Sequence, residues 1–145
     1  VLPGMRSRGR GTIINVSSAV TLSPPSPMLH YATAKAALAT YTTGLAAEAG
    51  PRGVRVNTLT PGTVGSPGAD AIRRAIIDGV GADRPEAGGI PIPLGRKGEA
   101  SDIAEAIAFL ASDRADAITG VDLPVDAGWL ASTSWVTYGG MRAPA

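Results

Sequence analysis

The chain has no cysteine, which excludes disulfides, thiolate metal sites and a secreted cystine scaffold. It has one histidine, too few for a multi-histidine centre, so no metal site is expected. It carries no excess of either charge: 13 Lys and Arg stand against 12 Asp and Glu in 145 residues, a net charge of +1. That balance gives no support to nucleic-acid binding through a basic face. Long hydrophobic runs are missing too. The longest, "IAEAIAFLA", contains Glu105 and falls short of the roughly 20 apolar residues of a membrane span. The basic start, "VLPGMRSRGRG", leads into no apolar run with a small-residue cleavage site. A signal peptide and a membrane partner are therefore not expected, and a cytoplasmic location is. The start also lacks an initiator methionine, a hint that the chain begins inside something larger.

What is present is globular in character. Hydrophobic residues make up 44% and charged residues 17%, at a length that allows one domain with a core. "GTIINVSS" reads as a buried strand near Thr12 to Val16. "SPPSP" (Ser23 to Pro27) cannot be helix interior. From about Tyr31 the alanine-rich stretch predicts a helix. Ala34, Leu38, Tyr41, Leu45 and Ala49 recur at helical spacing as its apolar face. Gly50 and Pro51 should stop it. "VRVNTL" (Val54 to Leu59) reads as a second strand and "TPGTVGSPG" as a loop. A helix is expected from about Ala69 to Asp78, then an irregular stretch over 79–98. A strong helix follows in "EASDIAEAIAFLASD", capped by Ser101 or a near neighbour. "GVDLPVDAGW" reads as a short strand and turn. Pro124 cannot donate to a ladder, so this strand belongs at a sheet edge. The order β-α-β-α-α-β, with helical crossovers, predicts parallel strands in an α/β layer fold.

Tyr31 and Lys35 stand four apart, on one face of the predicted helix. A tyrosine hydroxyl holds its proton tightly at neutral pH. A nearby ammonium favours the phenolate, so such a pair can serve as a general acid or base. Ser18 ends the first strand, and strand ends of open α/β sheets border the ligand crevice. The alternative is an aromatic and a snorkelling lysine at an ordinary helix start. His30 reads as a partly exposed polar residue, Asp126 as a turn residue and Asn57 as a local hydrogen-bonding group. Arg96 and Lys97 read as solvated loop charges that could otherwise approach a phosphate. Trp129, Trp135 and Tyr138 either close over a substrate or pack on a partner subunit.

The blocks "INVSS", "YATAK", "VRVNTLTPGTVGSP", "PLGRKGEASDIAEAIAFLAS" and "ITGVDLPVDAGW" together resemble the second half of a short-chain dehydrogenase/reductase. The resemblance covers nearly the whole chain from Gly9 to Trp129. It implies a partial Rossmann-like fold, doubly wound on a parallel sheet, of which the last three strands and their helices are present. Residues 1–128 would be the C-terminal half of that domain and 129–145 a tail. It implies hydride transfer between NAD or NADP, not distinguished, and a small carbonyl or secondary alcohol such as a 3-oxoacyl compound. By resemblance Ser18 orients the substrate oxygen and Tyr31 donates or accepts the proton. Lys35 holds the nicotinamide ribose and eases loss of the tyrosine proton. Pro61, Gly62, Val64 and Ser66 border the nicotinamide. The region from Gly65 to Pro93 forms a substrate lid. Family members are commonly dimers or tetramers, with the helix after Tyr31 in one interface.

The departures from the family pattern point the other way. No G-x-G-x-x-G turn is present, and such a turn lets backbone approach the pyrophosphate. The residue that chooses NAD or NADP and the asparagine of the proton relay would lie upstream. Asp126-Ala127-Gly128 replaces the common Asp-Gly-Gly. Two expectations therefore stand together: a truncated oxidoreductase, and a non-catalytic fragment or interaction module with an exposed edge on its first strand.

Overall fold

Crossovers too long for hairpins join three strands, so the strands run parallel. The computed structural model describes residues 1–80 and 92–132. Its elements are α1 (Leu2–Arg8), β1 (Gly11–Val16), α2 (Leu29–Ala49), β2 (Val54–Pro61), α3 (Pro67–Val80), α4 (Ala100–Ala111), β3 (Asp122–Val125) and α5 (Trp129–Ser132). The sheet order is β1-β2-β3, with Gly11 opposite Val54 and Thr58 opposite Asp122. Most of the expected elements form, and α3 begins earlier, at Pro67. Proline is tolerated there because the first turn's N–H groups have no partner within the helix. The Ser66 hydroxyl accepts the Ala69 N–H at 3.1 Å and closes that turn. Residues 81–91, within the expected lid, and Trp135 and Tyr138 lie outside the described residues.

β2 is buried on both sides, and a core packs on each face of the sheet. Val54 and Val56 meet Leu45, Ala46 and Ala49 of α2, with Leu2 and Met5 of α1 beside them. Leu59 meets Leu110 of α4 and Ala115 on the other face, among Ile14, Ile107 and Leu123. Helices on both faces make the fold doubly wound. Gly53 must be glycine: its φ is +69°, and a Cβ would stand 2.1 Å from the Gly9 carbonyl oxygen. Among the described residues no helix is long and apolar enough to cross a membrane.

The expected face of α2 needs correction. Ala34 is exposed and Tyr41 is 60% exposed, while Ala32, Thr42, Leu45, Ala46 and Ala49 are buried. An alanine-rich helix is apolar on nearly every side, so spacing alone does not select the buried stripe. A polar contact marks the buried side instead: the Asn15 amide of β1 donates to the Thr42 hydroxyl at 2.8 Å. Of Ser101 and its near neighbours, Glu99 is the cap of α4, and its N–H donates to the Asp102 carboxylate at 2.8 Å.

The two sheet edges differ. The Thr58 N–H bonds the Val121 carbonyl at 2.8 Å and the Gly62 N–H bonds the Val125 carbonyl at 3.0 Å. Thr60, in the same phase, stands opposite Pro124. The proline nitrogen therefore faces outward, where its missing N–H costs no ladder bond. On the far side, the Ser17 N–H bonds the Leu59 carbonyl at 2.8 Å. That phase turns the backbones of Thr12, Ile14 and Val16 away from β2. No strand among the described residues pairs with this edge. One of its carbonyls, that of Val16, is taken by the Lys35 ammonium at 2.7 Å.

Candidate active site

At the C-terminal end of β1 the chain turns sharply. Ser18 is extended, with φ −162° and ψ 144°, and precedes a 3₁₀ turn over Ala19–Thr21. Its hydroxyl accepts the Val20 N–H at 3.5 Å, a long bond that leaves its own proton free to donate. The Thr21 hydroxyl donates to the Ser18 carbonyl at 2.9 Å and fixes the turn. A second 3₁₀ turn, Ser26–Met28, leads into α2 and puts Tyr31 in its first turn. Lys35 stands one turn on, with its ammonium 5.8 Å from the Tyr31 ring centroid. That distance is within cation–π range. The Ser17 hydroxyl donates to the Lys35 carbonyl at 3.2 Å, which ties β1 to α2 at this level.

The loop after β2 closes the other side. Ser18, Tyr31, Gly62 and Val64 line one cavity of about 600 Å³, together with His30 and Thr63. Lys35, Pro61 and Ser66 are not among its lining residues. Lys35 faces Val16 and Tyr31, and Ser66 caps α3. His30 is exposed, as expected, and it also borders the cavity. Thr63 was not singled out from the sequence, although it sits between two residues that were. Asn57 is fully buried; its amide donates to the Ile118 carbonyl at 2.9 Å and accepts the Val121 N–H at 3.2 Å. Asp126 is a turn residue whose carboxylate accepts the Gly128 and Leu130 N–H groups. Trp129, half-buried, opens α5.

The loop is pinned from outside the cavity. The Gly98 N–H bonds the Thr63 carbonyl and the Gly65 N–H bonds the Gly98 carbonyl, each at 2.9 Å. Beside Gly98, Arg96 holds Asp102 through two bonds of 2.6 and 3.0 Å. Arg96 is thus paired with a carboxylate and not a free loop charge. The Arg96 guanidinium, and then the Glu99 N–H, lower the Asp102 carboxyl from its ordinary 3.8 to about 2. Gly62 needs its lack of side chain, since a Cβ would stand 2.6 Å from the Asp126 Cβ. Among the described residues no group of three or more His, Asp or Glu gathers as metal ligands.

A family model described as enoyl-(acyl carrier protein) reductase matches residues 1–130. The chain belongs to the short-chain dehydrogenase/reductase family. A 2,5-dichloro-2,5-cyclohexadiene-1,4-diol dehydrogenase of Sphingobium indicum is 40% identical over 128 residues, covering 88% of this chain and 48% of the relative. The chain spans about half the length of the relatives it matches. Among solved structures, a Burkholderia thailandensis oxidoreductase of the short-chain family is 38% identical, with a TM-score of 0.76 over 97% of this chain and 54% of that one. A structure described as a ribose-5-phosphate isomerase of Brucella melitensis is 42% identical, with a TM-score of 0.80 over 97% and 52%. NAD+-bound xylitol dehydrogenase has a TM-score of 0.79 at 28% identity over 88% and 52%. A Beutenbergia cavernae structure with bound NADP, described as an NAD(P)-dependent gluconate 5-dehydrogenase, has a TM-score of 0.75 at 34% identity over 90% and 50%. The short-chain family thus includes both NAD- and NADP-bound structures.

Proposed function

We propose that this short-chain family chain is the catalytic portion of an NAD(P)-dependent oxidoreductase, interconverting a carbonyl and a secondary alcohol. One observation carries the proposal: Ser18, Tyr31 and the loop of Gly62 and Val64 line a single cavity. That cavity stands at the C-terminal ends of parallel strands, where open α/β sheets bind ligands. Residues 1–128 are taken as this catalytic portion and 129–145 as a tail.

The residues present fit the nicotinamide end of the cofactor. Pro61, Gly62, Val64 and Ser66 would border the ring, Gly62 and Val64 from the cavity wall. Lys35 and Tyr31 would meet its ribose. The nicotinamide, when bound, supplies or takes the hydride. In reduction Ser18 donates a hydrogen bond to the carbonyl oxygen, and Tyr31 passes its proton to that oxygen. Tyr31 is then a phenolate, whose charge the Lys35 ammonium offsets across the 5.8 Å seen at the ring. In oxidation the same groups act in reverse.

A second proposal is a non-catalytic fragment or interaction module, which would hold no cofactor. Titration of the 145-residue chain with NADH and NADPH, followed by fluorescence, separates the two. The fragment proposal expects no measurable binding, and micromolar binding sinks it. Sugar-phosphate isomerisation is less well supported. Phosphate recognition calls for arginine or lysine, and none is among the described lining residues. The exposed side of α2, with Tyr41 and Ala34, supports a homodimer or homotetramer. Size-exclusion chromatography of Tyr41→Glu should show a smaller species, and an unchanged elution volume counts against that interface.

A further inference from the structure

We propose that the cavity beside Ser18 and Tyr31 takes a neutral carbonyl or secondary alcohol carried on an apolar body, alkyl or alicyclic, selected by Met28 and Ile72. This rests on the oxidoreductase function above and narrows its substrate class. The cavity's walls divide by element. Ser18 comes from the end of β1, and His30 and Tyr31 come from the first turn of α2. Pro27 and Met28, from the 3₁₀ turn before α2, are apolar. Ala69 and Ile72 of α3 stand three apart, on one helix face. Ile72 is 60% exposed. A large aliphatic side chain exposed on a cavity wall is contact area that an apolar ligand would cover.

The polar inventory argues the same way. If Ser18 and Tyr31 take the reacting oxygen, His30 and Thr63 remain as side chains able to bond a further group. A polyol would bring hydroxyls that the apolar wall strips of water without replacing their bonds. A carboxylate or phosphate would meet no lysine or arginine among the described lining residues. Of the cations on neighbouring elements, Lys35 bonds the Val16 carbonyl and Arg96 is paired with Asp102. The cavity of about 600 Å³ would hold the nicotinamide ring on its Gly62 and Val64 side and leave its Met28 and Ile72 side to a small organic molecule.

The test uses the 145-residue chain labelled with ¹³C at isoleucine and methionine methyls. Cyclohexanone and erythrulose, both neutral ketones, are titrated separately. Cyclohexanone should shift the Ile72 and Met28 methyls saturably, and erythrulose should bind at least about tenfold more weakly. Ile72→Asn should weaken the cyclohexanone response by about the same factor. Because Ile72 is exposed, its other methyl signals should stay in place. Equal binding of erythrulose, no saturable response to cyclohexanone, or an unaffected Ile72→Asn variant would each overturn the proposal. The reaction itself fails separately. Tyr31→Phe removes a hydrogen bond that either ketone would receive, so it should weaken both alike and keep their ratio; turnover retained in that variant would sink the hydride-transfer function without touching the ligand preference.

Discussion

The sheet has a cavity at each end. The one at the N-terminal ends of the strands, about 660 Å³, is lined by Arg8, Arg10 and Arg55 and by Asp113 and Asp116. The one at the C-terminal ends, about 600 Å³, is lined by Ser18, His30 and Tyr31. By size and formal charge the first would look functional. Its charge serves the fold instead. Arg55 of β2 donates to the Leu110, Ser112 and Ile118 carbonyls at 2.8, 3.1 and 3.5 Å. Arg8 stands in the last turn of α1. Helix C-termini carry partial negative charge and unpaired carbonyls, and arginine answers both. At the other end the Ser18 hydroxyl has only a long bond and keeps a proton to donate. Strand direction thus separates the two: carbonyl-capping charge at one end, cavity-lining hydroxyls at the other.

The largest expected effect touches the C-terminal cavity alone. In the protein that turns over, Tyr31→Phe should lower kcat by about two to four orders of magnitude, the range of a lost general acid. Thermal unfolding should stay nearly unchanged, because Tyr31 is 37% exposed. A variant that kept its rate would erase the distinction between the two cavities.

Arg55→Met should do the converse. It removes charged hydrogen bonds to carbonyls at the end of α4 and should cost about 2–3 kcal/mol. That corresponds to a drop in Tm of about 5–10 °C by calorimetry. The cyclohexanone response at Ile72 should not change. If Arg55→Met changed that response and left stability alone, the N-terminal cavity would be the functional one.

Asp102→Ala should have a smaller, local effect. Amide exchange at Gly65 and Gly98 should speed up while exchange in β2 does not. Asp102 has a lowered carboxyl pKa, so what it adds to stability is present above its ordinary 3.8 and is lost as pH falls towards about 2. Exchange measured at neutral pH sees the full anchor. Unchanged exchange at both glycines would mean that the Arg96–Asp102 pair does not hold the loop.

Much of this contrast could be anticipated from residue order. β-Branched runs marked β1 and β2, Pro124 marked the edge, and Ser18 and Tyr31, singled out from the sequence, do line one cavity, while Lys35 does not. The buried side of α2 was not legible, because alanine satisfies either side and only the partnership of Asn15 with Thr42 picks one. Ile72 and Met28 were not legible as cavity walls. An apolar core residue and an apolar cavity-wall residue look alike in sequence, and only coordinates place Ile72 on the cavity wall with 60% of its surface exposed. Arg96 and Asp102 lie across a loop end, outside any helical spacing rule, so their pairing needed coordinates.

Backbone strain follows the same division. The left-handed positions at the N-terminal end, Gly9 and Gly53, are glycines and bear no penalty. At the C-terminal end Ala127 holds φ at +54°, the one non-glycine with positive φ among the described residues. It follows Asp126, which packs on Gly62, and its carbonyl accepts the Leu94 N–H at 3.1 Å. The left-handed conformation costs alanine about 1–2 kcal/mol. Ala127→Gly removes that cost but adds about 0.4–1 kcal/mol of unfolded-chain entropy. The net gain should be about 0.5 kcal/mol, read as a small rise in denaturant midpoint at constant m. A fall in midpoint would mean that the Ala127 methyl makes contacts worth more than its strain. The contrast between a relaxed end and a strained end would then be lost.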